Sequence, residues 1–300
     1  MIELSIIICT YNRVDYIPES LGSLVNQDLD DSRYEIIIIN NNSPDNTEEV
    51  CQQLIKSNSG KNLIKYAVEE KSGLSNARNK GLELAEGKYI AYIDDDGRAE
   101  KDYASSIIDA FEQHTDYQAL GGKVLPIFPD GESPKWLSKY LNSMVSKVDH
   151  GIQFSDFKKK YPVGCNMAFR KELFEELGGF NPDLIIRSDD KYMFYKIKAN
   201  GKRILYAPSI VVHHHIDDFR LTYEYIRNQS LQVGYGERMR LKGKIFPLVN
   251  KFIEYCFKLS SSFILATGFL FKGEKMKAKY LVMVLTTTFK GFILKNPGNK

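Results

Sequence analysis

Lys88-Tyr89-Ile90-Ala91-Tyr92-Ile93-Asp94-Asp95-Asp96-Gly97 is a short apolar run that ends in three carboxylates and a glycine. An apolar run of this length, bounded by Gly87 and Gly97, reads as a strand buried on both faces. The carboxylates then stand at the carboxyl end of the strand, where ligands bind in open α/β sheets. Three adjacent acids repel one another and lose solvation, so positive charge is expected among them. A divalent cation holding a polyphosphate meets that need, because magnesium takes one or two protein carboxylates and fills its other positions with phosphate and water. Taken alone, the run also fits a solvated acidic turn.

Upstream, Leu4-Ser5-Ile6-Ile7-Ile8-Cys9 is a first buried strand that breaks into the polar loop Thr10-Tyr11-Asn12-Arg13. A helix from about Asp15 carries Leu21, Leu24 and Val25 on one face. Tyr34-Glu35-Ile36-Ile37-Ile38-Ile39 is a second strand, ending in the turn cluster that begins Asn40-Asn41-Asn42 and leads to a helix capped near Asp45. Residues 63–68 form a third strand, Gly73-Leu74-Ser75-Asn76 opens a helix, and residues 100–114 give another. Strands alternating with helices predict βα units around a mostly parallel sheet. Each strand ends in polar residues, which stacks several polar loops along one sheet edge.

The second half changes character. Residues 121–126 read as a strand, and residues 127–161 are rich in Pro, Lys and aromatics, with a helical hint only at 136–145. A long loop-rich insert in a compact domain is often a binding element. It holds the single tryptophan, Trp136, whose ring either stacks on a sugar or fills a core. Residues 161–170 return to strand character, and Gly178-Gly179-Phe180 closes a short helix. Asp189-Asp190 opens a helix that carries Met193, Phe194, Ile197 and Lys198. Residues 202–206 and 210–212 read as two strands, followed by His213-His214-His215.

The net charge of +3 hides an asymmetry. From Arg220 to the end there are 15 Lys and Arg against 4 Asp and Glu, which leaves 26 against 34 in the body. The tail holds two apolar, helix-compatible stretches joined by Lys272-Gly273-Glu274-Lys275, each interrupted by polar or charged residues before it reaches the length of a membrane span. A basic, aromatic-rich helical pair fits attachment to an anionic leaflet; packing on the sheet domain or in a dimer is the alternative. Cys9, Cys51, Cys165 and Cys256 show neither zinc nor redox spacing, so a reducing compartment is expected. The amino terminus leads straight into a strand and shows no signal-peptide pattern.

Eight segments in order resemble glycosyltransferase family 2 with the GT-A fold. They are the first strand through Arg13, Ile39 to Thr47, Gly73 to Asn79, Asp94-Asp95-Asp96, Asn166-Met167-Ala168-Phe169, Gly178-Gly179-Phe180, Asp189-Asp190 and His214-His215. The resemblance implies a Rossmann-like, mostly parallel central sheet flanked by helices over residues 1–220, with a nucleotide-binding half at 1–120 and an acceptor half at 121–220. Residues 221–300 form a basic helical extension beyond it.

The resemblance also implies an inverting transfer from a nucleoside-diphosphate sugar, aided by a divalent metal (Mn or Mg). Asp94-x-Asp96 matches the DXD motif, with Asp96 on the metal and Asp94 near the ribose. His214 matches a histidine that completes the metal site, with His213 and His215 as competing assignments. Thr10, Tyr11, Arg13, Asn40, Asn42, Arg78, Asp94 and Asp95 fall on the donor side, Arg78 near the diphosphate. Asp190 matches the base that takes the acceptor proton, and Trp136, Asn166 and Asp189 fall on the acceptor side. The implied partners are the sugar donor and a saccharide acceptor, with no nucleic acid, in surface-polysaccharide or glycolipid synthesis. The composition of the basic tail points to an acceptor at the cytoplasmic face of the cell membrane, such as a lipid-linked saccharide.

Two departures stand out. Asn40 replaces the usual aspartate that contacts the nucleotide, which keeps hydrogen-bonding capacity but loses charge. Asn228-Gln229-Ser230-Leu231 lacks the Arg and Trp of the processive motif, so transfer of single residues is expected. The alternatives are a nucleotide-sugar-binding protein without activity and a Mg-dependent nucleotidyltransferase.

Overall fold

The computed structural model describes all residues except 61–62, 159, 184–188 and 295–300. The last six residues of the expected 221–300 extension therefore lie outside the described residues. The chain divides into two units, Met1–Pro126 with Ser146–His215, and Ile127–Val145 with Ile216–Lys300.

The strands are β1 (Leu4–Thr10), β2 (Tyr34–Asn40), β3 (Leu63–Val68), β4 (Tyr89–Asp94), β5 (Gly97–Ala99), β6 (Tyr117–Ile127), β7 (Ser155–Asp156), β8 (Met167–Arg170) and β9 (Arg203–His215). The helices of the first unit are α1 (Ile17–Leu24), α2 (Thr47–Ser57), α3 (Leu74–Leu84), α4 (Tyr103–Gln113), α5 (Glu172–Leu177) and α6 (Asp189–Ala199). The strands form one sheet in the order β3-β2-β1-β4-β8-β6-β9-β5, with β7 paired to β9. From β3 to β4 the pairs are parallel, as the alternation of strands and helices predicts. Beyond β4 the β4–β8, β6–β8, β5–β9 and β7–β9 pairs are antiparallel.

Side chains alternate between faces along a strand, and the isoleucine runs of β1 and β2 bury both. Ile6, Ile8, Ile36 and Ile38 pack with Leu21 and Leu24 of α1 and Ile107 and Phe111 of α4. Ile7, Ile37 and Ile39 pack on the opposite face with Ala77 of α3 and Phe194 and Ile197 of α6. Each such side chain contributes about 1.5–3 kcal/mol when fully buried. A polar intruder on β2, Glu35, is fully buried. It is satisfied by the ammonium of Lys65 at 2.7 Å, the Ser5 hydroxyl at 2.6 Å and the Glu86 amide at 2.7 Å. At Gly81 of α3 a Cβ would lie 2.5 Å from Ile7 Cγ2, so glycine lets this helix sit down on β1.

The parallel register brings Thr10 beside Asn40 and Cys9 beside Asp94. The ends of β1, β2 and β4 therefore share one edge, and their polar loops gather there. Two readings change in detail. The expected strands at 202–206 and 210–212 are one strand, β9. It pairs with β7 at Leu205 and Tyr206 and with β5 at 212–214, on either side of Pro208, a residue that cannot donate to a ladder. The short strand β5 follows the acidic turn directly and pairs Gly97 with His214.

The second unit is helical: α7 (Tyr223–Arg240), α8 (Ile245–Phe271) and α9 (Lys275–Ile293). Glycines bring α7 and α9 close. A Cβ at Gly234 would lie 1.9 Å from the Thr288 carbonyl oxygen, and one at Gly291 would lie 2.1 Å from that of Leu231. Trp136 is buried in this unit and stacks on Tyr280 with ring centroids 4.9 Å apart. Its ring is packed as core rather than standing open as a platform for a sugar. Among the described residues no helix is long and apolar enough to cross a membrane.

Candidate active site

The carboxylates at the end of β4 are each met by a different cationic or hydroxyl partner. Thr10 Oγ1 donates to Asp95 Oδ2 at 2.8 Å. Arg13 Nη1 donates to Asp96 Oδ2 at 2.6 Å and stands 3.8 Å from Asp95 Oδ1. The loop that carries Arg13 turns at Asn12, whose φ of 53° is left-handed, a conformation that asparagine tolerates. The Arg13 guanidinium also lies over the Tyr16 ring at 4.5 Å. Arg78 Nη2 stands 3.6 Å from Asp94 Oδ1. The positive charge expected among the acids is thus supplied in part by the protein's own arginines.

The three histidines separate cleanly. His214 is buried, and its Nε2 lies 3.1 Å from Asp96 Oδ1. His213 points the other way, to Glu100 at 2.5 Å, and His215 reaches Glu19 at 2.9 Å. The backbone fixes this arrangement: the His215 amide donates to the Asp96 carbonyl at 2.9 Å, and Gly97 pairs with His214. His214 Nδ1 is buried with no hydrogen-bond partner among the described residues. Donor atoms of Asp94, Cys165 and His214 lie within 4.8 Å of one another. The cluster offers a carboxylate, an imidazole and a thiol, and the carboxylate and imidazole suit a divalent ion such as Mn²⁺.

A second cluster centres on Arg78, which is 2% exposed. Its Nη1 donates to Asp189 Oδ2 at 2.6 Å, and Ser75 Oγ donates to the same oxygen at 3.4 Å. Tyr92 OH donates to the Arg78 carbonyl at 3.2 Å, and the guanidinium faces the Phe180 ring at 5.4 Å. The Asn79 side-chain amide holds the Phe180 backbone, donating from Nδ2 to its carbonyl and accepting at Oδ1 from its amide, both at 2.8 Å. The neighbouring carboxylate, Asp190, accepts from the Gly164 amide at 2.9 Å and from the Lys191 amide at 2.6 Å. A Cβ at Gly164 would fall 2.5 Å from Arg78 Nη2, so any side chain here would have to displace that guanidinium.

These surroundings set protonation. Burial and the charge of Asp96 push Asp95 up to about 7, against the pull of Arg13 and Thr10. Burial and Asp96 also raise Asp94, although 35% of its side chain is open to solvent, which tempers the shift. Burial and Asp189 raise Asp190, while Arg78 and the two backbone amides pull it back. Burial works against the charge of Arg78, yet Asp189, Asp94 and Asp190 together raise its pKa further.

The family model described as Glycosyl transferase family 2 matches residues 5–178. The chain belongs to that family. The glucosyl-dolichyl phosphate glucuronosyltransferase of Haloferax volcanii is 24% identical over 248 residues, 79% of this chain and 77% of that protein. The mannosyltransferase PcManGT of Pyrobaculum calidifontis, solved with GDP-Man and Mn²⁺, aligns with a TM-score of 0.63 at 17% identity, covering 95% of this chain and 86% of that one. TarS 1-349 of S. aureus, solved with UDP-GlcNAc, aligns with a TM-score of 0.59 at 16% identity, covering 97% and 89%. These two likenesses show the fold, which is of the GT-A type. Family membership makes the protein a glycosyltransferase and disfavours both the inactive binder and the nucleotidyltransferase.

In this family 2 glycosyltransferase, Thr10, Arg13, Arg78, Asp94, Asp95, Asp96, Asp189, Asp190 and His214 form two linked clusters at one sheet edge. Tyr11 is 55% exposed, and Asn42 is exposed with a left-handed φ of 59°. Asn40 is buried. It donates to Tyr66 OH at 3.0 Å and accepts from the Ser43 amide at 2.9 Å. Asn166 is buried too and spends its amide hydrogens on the carbonyls of Lys123 and Ile210. Trp136 belongs to the second unit.

Cys165 and Gly164 escaped the sequence reading. The β4–β8 ladder ends at Tyr92 and Met167, and the turn just before β8 brings Cys165 close to Asp94.

Proposed function

We propose that this glycosyltransferase moves one glycosyl unit from a nucleoside-diphosphate sugar to an acceptor hydroxyl with inversion at the anomeric carbon. The observation that carries the proposal is the pairing of two clusters through Arg78. One is the acidic turn with His214, and the other is Asp190, held by two backbone amides.

Asp96 and His214 would hold a divalent ion, Mn²⁺ or Mg²⁺, with Asp94 and Cys165 beside them. When bound, such an ion neutralises the charge that develops on the departing diphosphate. That PcManGT was solved with Mn²⁺ supports this choice. Thr10, Tyr11, Asn40 and Asn42 line the loops that receive the nucleoside, and Arg13 and Arg78 supply cationic donors for phosphate oxygens.

Asp190 is the base. It takes the proton of the acceptor hydroxyl as that oxygen bonds to the anomeric carbon. The bond from the anomeric carbon to the diphosphate breaks with its electron pair on the phosphate oxygen. Attack from the side opposite the leaving group inverts the configuration. The Gly164 and Lys191 amides orient the carboxylate and favour its ionised form. Asp189 is committed to Arg78 and positions that guanidinium between the two clusters. Asn166 acts through the backbone it ties together rather than by direct contact.

The acceptor is a saccharide or lipid-linked saccharide presented at the cytoplasmic face of the cell membrane, in surface-polysaccharide or glycolipid synthesis. The basic tail supports this, as does the relative from Haloferax volcanii, whose name specifies a dolichyl phosphate-linked acceptor. The test is product analysis. Incubation with the donor and acceptor should release nucleoside diphosphate and not pyrophosphate, and Asp190→Asn should lower the rate by at least about a hundredfold. Pyrophosphate release, or an undiminished rate in the variant, would overturn the reading.

A further inference from the structure

We propose that the outer face of α8 docks in the plane of a lipid bilayer bearing anionic headgroups. The proposal rests on the reading of a membrane-presented acceptor and names the element that makes the contact. Phe246, Ile253, Phe257, Ile264 and Phe271 are 84%, 59%, 72%, 75% and 89% exposed. At about 100° per residue they fall within an arc of about 40° on the helix. The opposite face is already used: Tyr255, Ser262 and Ala266 are buried, and the Tyr255 ring meets Phe292 of α9 at 5.0 Å. Helix α8 is therefore apolar on two sides, of which packing within its unit covers one.

Exposed apolar residues are ordinary when scattered; a continuous stripe along 27 residues is not. At about 1.5 Å per residue the stripe is about 40 Å long. The charged residues of the helix, Lys251, Glu254 and Lys258, leave the stripe clear and pair with one another on the flank. Among the described residues no helix is long and apolar enough to cross a membrane, so a helix of this kind lies along the interface.

Charge selects the occupant. The stripe is bracketed by exposed lysines, Lys242 and Lys244 before α8 and Lys272 and Lys275 after it. The chain from Arg220 onward carries 15 basic residues against 4 acidic ones. A second copy would bring like charge to like charge, whereas an anionic headgroup layer is complementary.

The test is co-sedimentation of the full chain with vesicles of phosphatidylcholine plus phosphatidylglycerol, and with phosphatidylcholine vesicles alone. The wild type should bind the anionic vesicles at least about tenfold more tightly than the neutral ones, and added salt should weaken the binding. The double variant Phe257→Glu with Ile264→Glu, whose sites are solvent-facing, should lose at least about tenfold in binding while its circular dichroism and melting stay unchanged. A wild type left in the supernatant with both vesicles would overturn the proposal, as would a variant that binds like wild type. So would a wild-type dimer that the double variant dissolves without any vesicle binding. Calorimetric donor binding in the same preparations keeps the two readings apart: donor binding without vesicle binding sinks docking alone, and vesicle binding without donor binding sinks sugar transfer alone.

Discussion

Arg78 and Asp189 form a buried ion pair at 2.6 Å that joins α3 to the first residue of α6. From the same guanidinium, Nη2 reaches Asp94 at 3.6 Å. One side chain thus ties the acidic turn to the segment that carries Asp190. Removing one partner of a buried pair leaves the other charge stranded, at a cost of about 3–5 kcal/mol. Arg78→Met should lower unfolding stability in urea by that order. A change below about 0.5 kcal/mol would mean that the pair is not holding the two elements together.

Gly164 is bare because Arg78 fills the space beside it. A methyl group there would press on Arg78 Nη2 at 2.5 Å and come into van der Waals contact with Asp190 Oδ2 at 3.4 Å. Gly164→Ala should keep the fold and lower kcat by about tenfold or more, since small misplacements of a catalytic group are costly. Wild-type kcat in this variant would show that the close fit of Arg78 against residue 164 does not set the position of Asp190.

The pH dependence of transfer follows from the base. Burial and Asp189 raise Asp190 above the ordinary aspartate value of 3.8. A base works when deprotonated, so kcat/KM should rise with pH through this elevated value. Asp189→Asn removes a like charge, lowers the pKa and should move the acidic limb to lower pH. A limb that stays in place or moves up would contradict the assignment of Asp190.

Stability should run the opposite way with pH at Asp95. In the folded, metal-free chain this group titrates at about 7 and in the unfolded chain near 3.8. Between those values the native state holds the extra proton, so the contribution is present at low pH and lost as pH rises toward 7. The melting temperature of wild type should therefore fall, relative to Asp95→Asn, between about pH 4 and pH 7. Parallel curves for the two proteins would contradict the buried environment of Asp95.

Much of the fold was legible because its signals are local. The isoleucine runs of β1 and β2 announce strands buried on both faces, and the polar residues that end β1, β2 and β4 announce the edge where they gather. Alternation left the three histidines open and the family resemblance put His214 first; the pairing of Gly97 with His214 brings that ring to Asp96. Trp136 was ambiguous because an aromatic ring carries no sequence mark that separates a platform from a core residue, and Tyr280 lies far along the chain. Asn40 was read as a weakened nucleotide contact. Its bonds to Tyr66 and Ser43 give it a local structural task that charge is not needed for. Gly164 and Cys165 were hidden for a related reason, since their meaning comes from Arg78 and Asp94, far away in sequence and brought near only by the fold.

The central claim is a metal-assisted donor site at the acidic turn, and donor calorimetry tests it most directly. UDP-, GDP- and dTDP-sugars would be titrated into wild type and Asp96→Ala, with Mn²⁺ and with chelator. One nucleotide class should bind wild type in the presence of Mn²⁺, and that binding should vanish with chelator and in the variant. Binding that persists unchanged in Asp96→Ala, or no binding of any donor by wild type, would contradict the account.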